Sequence, residues 1–430
     1  MFKKISFQHI AILCACISCV CLSYNFKLGY NNRYNAGGDA LDYISLGTVL
    51  AKTGYYGKAE DSDDQILNDF ENGNVESKSY EFKKHSTWRP PLWPALIAFV
   101  FLIFGYKLLY VLLFKVVIHL IGVWLFFKIL QLLEYNKWYV LIGAFIYSVS
   151  PVYQIYGRVF LIETLTLFII TVFLYHLLRC QKNKRGFALL GLTGALVILS
   201  HPYYIFLPFT IYLMLVLSKQ IRTKHFIISS VICLFVVSLW PIRNAIVLKT
   251  NSVIMTTSSG AVMAKGWNKE VPQLHTNTQG DLADEGLVLK DGEKVNVQNE
   301  IDASKQYSHA VVQFIKENKK LIVPIILTKL KSAFNPLAET PKPGILETGR
   351  VGFHILALLA SIFLLFKGAD LIRALNFSLI LSTILIAIIT YSGFRFRSPQ
   401  FVLELLFILE CLHNWKKEIK IYSTIREHHT

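Results

Sequence analysis

At 430 residues, with 53% hydrophobic and only 17% charged residues, the chain is too apolar for an ordinary soluble protein. Its formal net charge of +16 would suit a nucleic-acid binder, but the lysines and arginines sit in short clusters between apolar runs, the signature of cytoplasmic loops. The seven cysteines build no disulfide framework: Cys14, Cys16, Cys19 and Cys21 all fall in the first apolar run, where a CxxC lacks polar support for metal or redox chemistry.

In chain order, Lys3-Lys4 and the run 5–23 read as a retained signal anchor. A long loop, 24–90, follows, rich in Asp, Glu, Tyr and Gly. Candidate spans then come at 107–133, 138–156, 160–179, 187–200, 203–217 and 226–246. A second long loop, 247–318, ends in a helix-like stretch from Asn299 to Lys320, and further spans follow at 351–367, 371–391 and 399–413. Most of these runs have about the 15–25 residues that a helix needs to cross roughly 30 Å of hydrocarbon.

Two shorter apolar stretches, 92–105 and 320–334, are assigned by parity. Lys3-Lys4, Lys182 to Arg185, Lys219 to Lys224, Lys367 to Arg373 and Trp415-Lys416-Lys417 all belong inside. An even number of crossings must then separate the N-terminus from the 182–185 cluster. The stretch 92–105, opening at Pro90-Pro91, is therefore an interfacial helix, and 320–334, with Lys329 and Lys331, lies at the outer interface. The expectation is an all-α polytopic membrane protein of about ten spans with both long loops outside. Three parts are expected: a transmembrane module 1–246, an outer loop with its interfacial helix 247–350, and a C-terminal unit 351–430.

Nucleotide-binding and hydrolase signatures are missing: there is no Walker loop, GxGxxG, GxSxG or HExxH. Asp61-Ser62-Asp63 is a DxD, but in an acidic loop it reads as solvation. The informative segments are Gly37-Gly38-Asp39-Ala40-Leu41-Asp42-Tyr43, Thr53-Gly54-Tyr55-Tyr56 and Trp88-Arg89-Pro90-Pro91-Leu92-Trp93-Pro94. Further along come Pro151 with Glu163, Trp240-Pro241 with Arg243-Asn244, Ser259-Gly260 with Gly266-Trp267-Asn268, Ala310 to Lys331, and Tyr391 with Arg395-Phe396-Arg397-Ser398-Pro399.

Taken in order, these segments resemble the GT-C class of membrane glycosyltransferases, in the bacterial branch near the protein O-mannosyltransferases and lipid A aminoarabinose transferases. The resemblance runs along most of the chain. It departs from the family pattern at Lys319, where a proline is usual, and at Ser200-His201-Pro202, where a basic residue usually precedes the proline.

The resemblance implies a GT-C fold and transfer of a hexosyl or pentosyl group from a polyprenyl-phosphate carrier to an acceptor, with inversion, at the outer face of a bacterial inner membrane. Such chemistry needs a carboxylate to take the acceptor proton and cations to neutralise the leaving phosphate. Asp39 is the family-position base, with Asp42 second; helix capping is the competing use of Asp39. Arg89, Glu163, Arg243, Asn244, Arg395 and Arg397 are the candidates for donor-phosphate or substrate contact. Glu163 has an alternative as a structural partner of an arginine, and the late arginines have one as snorkelling residues.

No cofactor is implied, and whether a divalent metal assists Asp39 stays open, as do the sugar and the acceptor. Two other classes stand beside this reading. An O-antigen ligase or polymerase would carry a larger late outer loop. A transporter or lipid flippase would place ionisable residues and broken helices near mid-bilayer.

Overall fold

The structure is a computed structural model describing residues 13–15, 17–18, 38–251, 253–273, 284–290, 293, 295, 299–335, 345–391 and 393–414. The expected first span is described only at 13–15 and 17–18, where Ser18 Oγ donates to the Ser148 carbonyl at 3.2 Å; 24–37 and the basic tail lie outside.

The first loop contains α1 (Asp39–Thr53), β1 (Gly57–Ala59), α2 (Asp63–Glu71) and β2 (Phe82–His85). Gly54 ends α1 in the left-handed region at φ 76°, which turns the chain directly into β1. The two strands form an antiparallel hairpin pairing Gly57 with His85 and Lys58 with Lys84. Ser62 and Gln65 form a reciprocal capping box at α2. The DxD is consumed structurally, since Asp61 pairs with Lys78 at 2.8 Å and Asp63 accepts from Ser45 at 2.6 Å.

The apolar helices follow as α3 (Leu92–Phe104), α4 (Leu108–Leu132), α5 (Lys137–Ser148), α6 (Pro151–Tyr156), α7 (Glu163–Asn183), α8 (Phe187–Ser200), α9 (Leu207–Leu217) and α10 (Thr223–Val247). The second loop supplies α11 (Ser259–Gly266), α12 (Glu300–Glu317) and α13 (Ile322–Phe334). The chain closes with α14 (Ile345–Lys367), α15 (Asp370–Ile389), the short α16 (Phe394–Arg397) and α17 (401–414).

Among the described residues, six helical stretches are long and apolar enough to cross a membrane, and three shorter apolar ones accompany them. The chain is thus an all-α polytopic membrane protein. The expected span 138–156 divides into α5 and α6, because Ser150 caps a new helix and Pro151 occupies its first turn. At 13 residues α3 is about 20 Å long, short of the hydrocarbon thickness.

Aliphatic and phenylalanine side chains of α10 face outward, among them Ile227, Val231, Leu234, Phe235 and Leu239. Such an apolar face suits lipid and would be a liability in water. Helix α8 packs closely on α10 because Gly191 has no side chain: a Cβ there would sit 2.5 Å from the Ser229 carbonyl. The innermost helix is α17, whose Phe401, Val402, Leu405, Leu406 and Leu409 are all buried. Both long loops lie on one side and hold each other. Glu300 of α12 accepts from Ser86 Oγ at 2.7 Å, the Thr87 amide at 3.3 Å and Thr257 Oγ1 at 2.9 Å.

Candidate active site

Helix α1 begins at Gly38, whose φ of 58° few other residues adopt readily, and Gly38 is also its cap. Asp39 is the first helical residue and makes no capping bond, so its carboxylate points elsewhere. With Asp42 one turn on, it forms an acidic first turn that favours the helix dipole.

Arg89 reaches both carboxylates. Its Nη2 donates to Asp39 Oδ1 at 2.5 Å and to Asp42 Oδ2 at 2.6 Å, while Nε donates to Asp42 Oδ2 at 2.9 Å. Pro90-Pro91 stiffen the segment after Arg89, and the Tyr56 hydroxyl donates to the Arg89 carbonyl at 3.0 Å. From the far end of the chain, Arg395 of α16 donates through Nη1 to Asp39 Oδ2 at 2.7 Å and through Nε to Glu163 Oε1 at 2.5 Å.

Five of the sequence candidates therefore form one continuous chain, Asp42, Arg89, Asp39, Arg395 and Glu163. Two guanidiniums face three carboxyl groups. The chain grades from the surface inward: the Asp39 side chain is 32% exposed, whereas that of Glu163 is fully buried. Burial pushes the Asp39 carboxyl up, but Arg89 and Arg395 together outweigh it and hold it down to about 2. At Asp42 burial outweighs Arg89, and the carboxyl is raised from its ordinary value.

The segment leading into Glu163 is held by Lys115, which no motif indicates, and by Trp93 of the Trp88 to Pro94 segment. The non-helical link between α6 and α7 leaves backbone carbonyls without helical partners. Lys115, buried in α4, donates to those of Tyr156 at 2.9 Å and Leu161 at 3.0 Å, and also to that of Val159. Trp93 Nε1 donates to the Phe160 carbonyl at 2.8 Å. The detectable signal was a lone lysine within an apolar run, since intramembrane ionisable residues usually have a partner.

Aromatic rings line the Arg395 side. Phe396 lies 5.9 Å from Tyr203 in a stacked pair, with His201 and Tyr391 edge-on at 5.6 and 5.5 Å. Desolvation among these rings pushes the His201 imidazole down to about 4, so it is neutral near pH 7. Further along the same wall, Lys329 of α13 lies 3.8 Å over the Trp267 ring and donates to the Ile388 carbonyl at 3.1 Å.

The remaining candidates lie elsewhere. Arg243 braces the two loops, donating to the Tyr56 carbonyl at 2.9 Å with its guanidinium 5.0 Å from the Trp240 ring. Asn244 donates to the Ile254 carbonyl at 2.9 Å. Arg397 turns into the protein, donating to the Ala333 carbonyl at 2.6 Å and pairing with Glu404 at 3.4 Å. Glu404 also meets His354 Nδ1 at 2.8 Å.

Among the described residues, no three His, Cys, Asp or Glu side chains gather as a metal-ligand set. Both oxygens of Asp39 are directed at guanidiniums, so the Asp39 and Asp42 pair does not fit a divalent ion as arranged.

Residues 88–241 match the model of a family described as dolichyl-phosphate-mannose-protein mannosyltransferase, a stretch that includes Arg89, Glu163 and His201. No curated protein and no solved structure matches the chain.

Proposed function

We propose that this membrane glycosyltransferase of the GT-C type takes its sugar from a polyprenyl-phosphate carrier and passes it to an acceptor hydroxyl at the outer face of a bacterial inner membrane. The observation that carries the proposal is a partly exposed carboxylate, Asp39, held between two guanidiniums where the outer loop meets the apolar helices. That grouping matches the two demands of the reaction. A carboxylate accepts the acceptor proton, and cations take the negative charge of the departing phosphate.

In the proposed step, the acceptor oxygen attacks the anomeric carbon while its proton passes to Asp39. The bond from that carbon to the phosphate oxygen breaks, its electron pair leaves with the lipid phosphate, and the configuration inverts. Arg395 receives the phosphate and Arg89 keeps Asp39 and Asp42 aligned. A carboxylate held down to about 2 is a weak base. A phosphate that shares the Arg395 guanidinium relaxes that hold and raises the proton affinity of Asp39 when the donor is in place.

A lipid carrier also suits the architecture, since its tail has apolar helix faces to lie on while its phosphate stays at the surface. The test is transfer by the purified protein in proteoliposomes, with polyprenyl-phosphate sugars and nucleotide sugars offered separately. Turnover is expected only with the lipid-linked donor. Turnover with a nucleotide sugar and no polyprenyl phosphate overturns the reading.

A further inference from the structure

Helices α9 and α15 are clasped by a reciprocal pair: Thr210 Oγ1 donates to the Ser378 carbonyl at 3.2 Å, and Ser378 Oγ to the Thr210 carbonyl at 3.1 Å. Beyond that clasp a cleft of about 360 Å³ opens between the end of α9 and the start of α15, with Met214, Leu217, Lys219, Asp370, Arg373 and Phe377 among its walls. A crevice of this size suits one small headgroup. Helix α9 ends at Leu217, and the chain turns away through Lys219 in the left-handed region at φ 59°.

The depth of the cleft in a bilayer follows from α15. That helix is long and apolar enough to cross a membrane, and its far end, Ile389, leads directly to Tyr391 and Arg395 of the candidate active site. Its 20 residues span about 30 Å, so the cleft sits at the opposite membrane boundary, where lipid headgroups lie.

The charges in the cleft do not cancel. Lys219 is exposed, and among the described residues its ammonium meets no carboxylate. Arg373 donates from Nη2 to the Gly368 carbonyl at 2.6 Å, a neutral partner that leaves its charge unbalanced. Asp370 lies 3.8 Å from Arg373 Nη1, beyond hydrogen-bonding distance, and at 66% exposure its attraction is well screened. Counted in full, Asp370 still leaves two cations against one carboxylate.

The remaining walls are apolar and face outward: Leu217 is 64% exposed and Phe377 43%. A soluble anion makes no use of them, whereas a lipid lays an acyl chain along both. A zwitterionic headgroup brings its own ammonium into a cleft that already holds excess positive charge, and a headgroup of net negative charge does not.

We infer that this cleft is a binding site for one anionic phospholipid, its phosphate on Lys219 and Arg373 and an acyl chain along Leu217 and Phe377. The binding is independent of the transfer reaction at the other end of the helices.

The test uses the full-length protein in neutral detergent with a phosphatidylglycerol that carries a photoactivatable group on its acyl chain, the labelled peptides being mapped by mass spectrometry. Label is expected on the end of α9 and the start of α15. Each cation beside an anionic headgroup is worth about fivefold in affinity, so unlabelled phosphatidylglycerol should displace the probe at least about tenfold better than phosphatidylcholine does. Rising salt should weaken the labelling. K219Q alters an exposed, unpaired side chain, so it tests the site without disturbing the fold; it should cost about fivefold in affinity while K219R keeps it. K184Q/R185Q removes exposed charge at the same end of the bundle but outside the cleft, and should leave the labelling unchanged.

No label on either helix, equal displacement by the two lipids, or a K219Q protein labelled as wild type overturns the inference. An equal loss in K184Q/R185Q also overturns it, since general surface charge then gathers the lipid. Glycerol 3-phosphate that displaces the probe as well as phosphatidylglycerol does puts a soluble anion in the cleft and overturns it too.

Discussion

Two arginines two residues apart enter opposite environments. Arg395 joins Asp39 and Glu163 at the edge of the two long loops, with about a fifth of its side chain exposed. Arg397 is sealed beneath with Glu404 and the Ala333 carbonyl, at 8% exposure for each partner of the pair. Both sites pair an arginine with a buried glutamate, yet the first ends in a partly exposed aspartate and the second in His354, which is itself buried. The difference teaches that ion pairing alone does not mark a reactive site. Access to the surface is what separates the proposed site from the sealed pair.

The sharpest way to break this contrast is at its accessible end. Asp39→Asn keeps size and much of the hydrogen bonding but removes the proton acceptor. Transfer per folded molecule is expected to fall by about 10²–10⁴-fold, with the protein still folded and its melting temperature lowered at neutral pH. Initial rates in proteoliposomes beside thermal unfolding of the same preparation check this. Glu404→Gln is the control and should retain turnover per folded molecule.

The inner site should respond in stability. Arg397→Gln leaves Glu404 and the Ala333 carbonyl short of a donor in a buried setting, where breaking one pair costs roughly 3–5 kcal/mol. A large drop in folded yield is expected, with normal turnover in the fraction that folds. Normal yield and lost turnover would instead put Arg397 with the outer cluster.

Arg395→Gln should weaken donor use by about 1.5–3 kcal/mol in kcat/KM, the worth of a charge-assisted bond to phosphate. It also strands Glu163, which is fully buried. The double variant R395Q/E163Q should therefore recover stability relative to R395Q without recovering donor use. Recovery of both would make Arg395 a purely structural partner.

The smallest effect is in acid. The folded-state carboxyl of Asp39 lies near 2, below its ordinary value near 3.9. Its ionised form therefore stabilises the fold fully above about pH 4, and that stability is lost as pH falls toward 2. The melting-temperature gap between wild type and Asp39→Asn should narrow over that window. Asp42 is shifted the other way, so Asp42→Asn should be neutral or slightly stabilising at pH 7.

Much of the cluster was legible because Asp39, Arg89, Glu163 and Arg395 occur as motif residues in chain order, even though 232 positions separate Glu163 from Arg395. Grouping Arg397 with Arg395 failed for a simple geometric reason. Residues two apart on a helix point about 200° from each other, and α16 is helical. Arg243 and Asn244 sit at the end of a span and tie the two loops together. The hairpin was illegible because its pairing brings Gly57 to His85 across 28 positions with weak strand patterning. The division of 138–156 into two helices was carried by Ser150-Pro151 alone.

Lys115 has a consequence for how the apolar helices pack. Its helix is otherwise among the most apolar in the chain, with a mean hydropathy of 2.3. A lysine within an apolar span is costly, and the carbonyls that satisfy Lys115 belong to residues 156–161, some forty positions later in the chain. The α4 lysine therefore has its carbonyl acceptors only where the α6 to α7 link is packed against it. A packing that set α4 in place without that link would leave the Lys115 side chain buried among apolar helices with none of these acceptors.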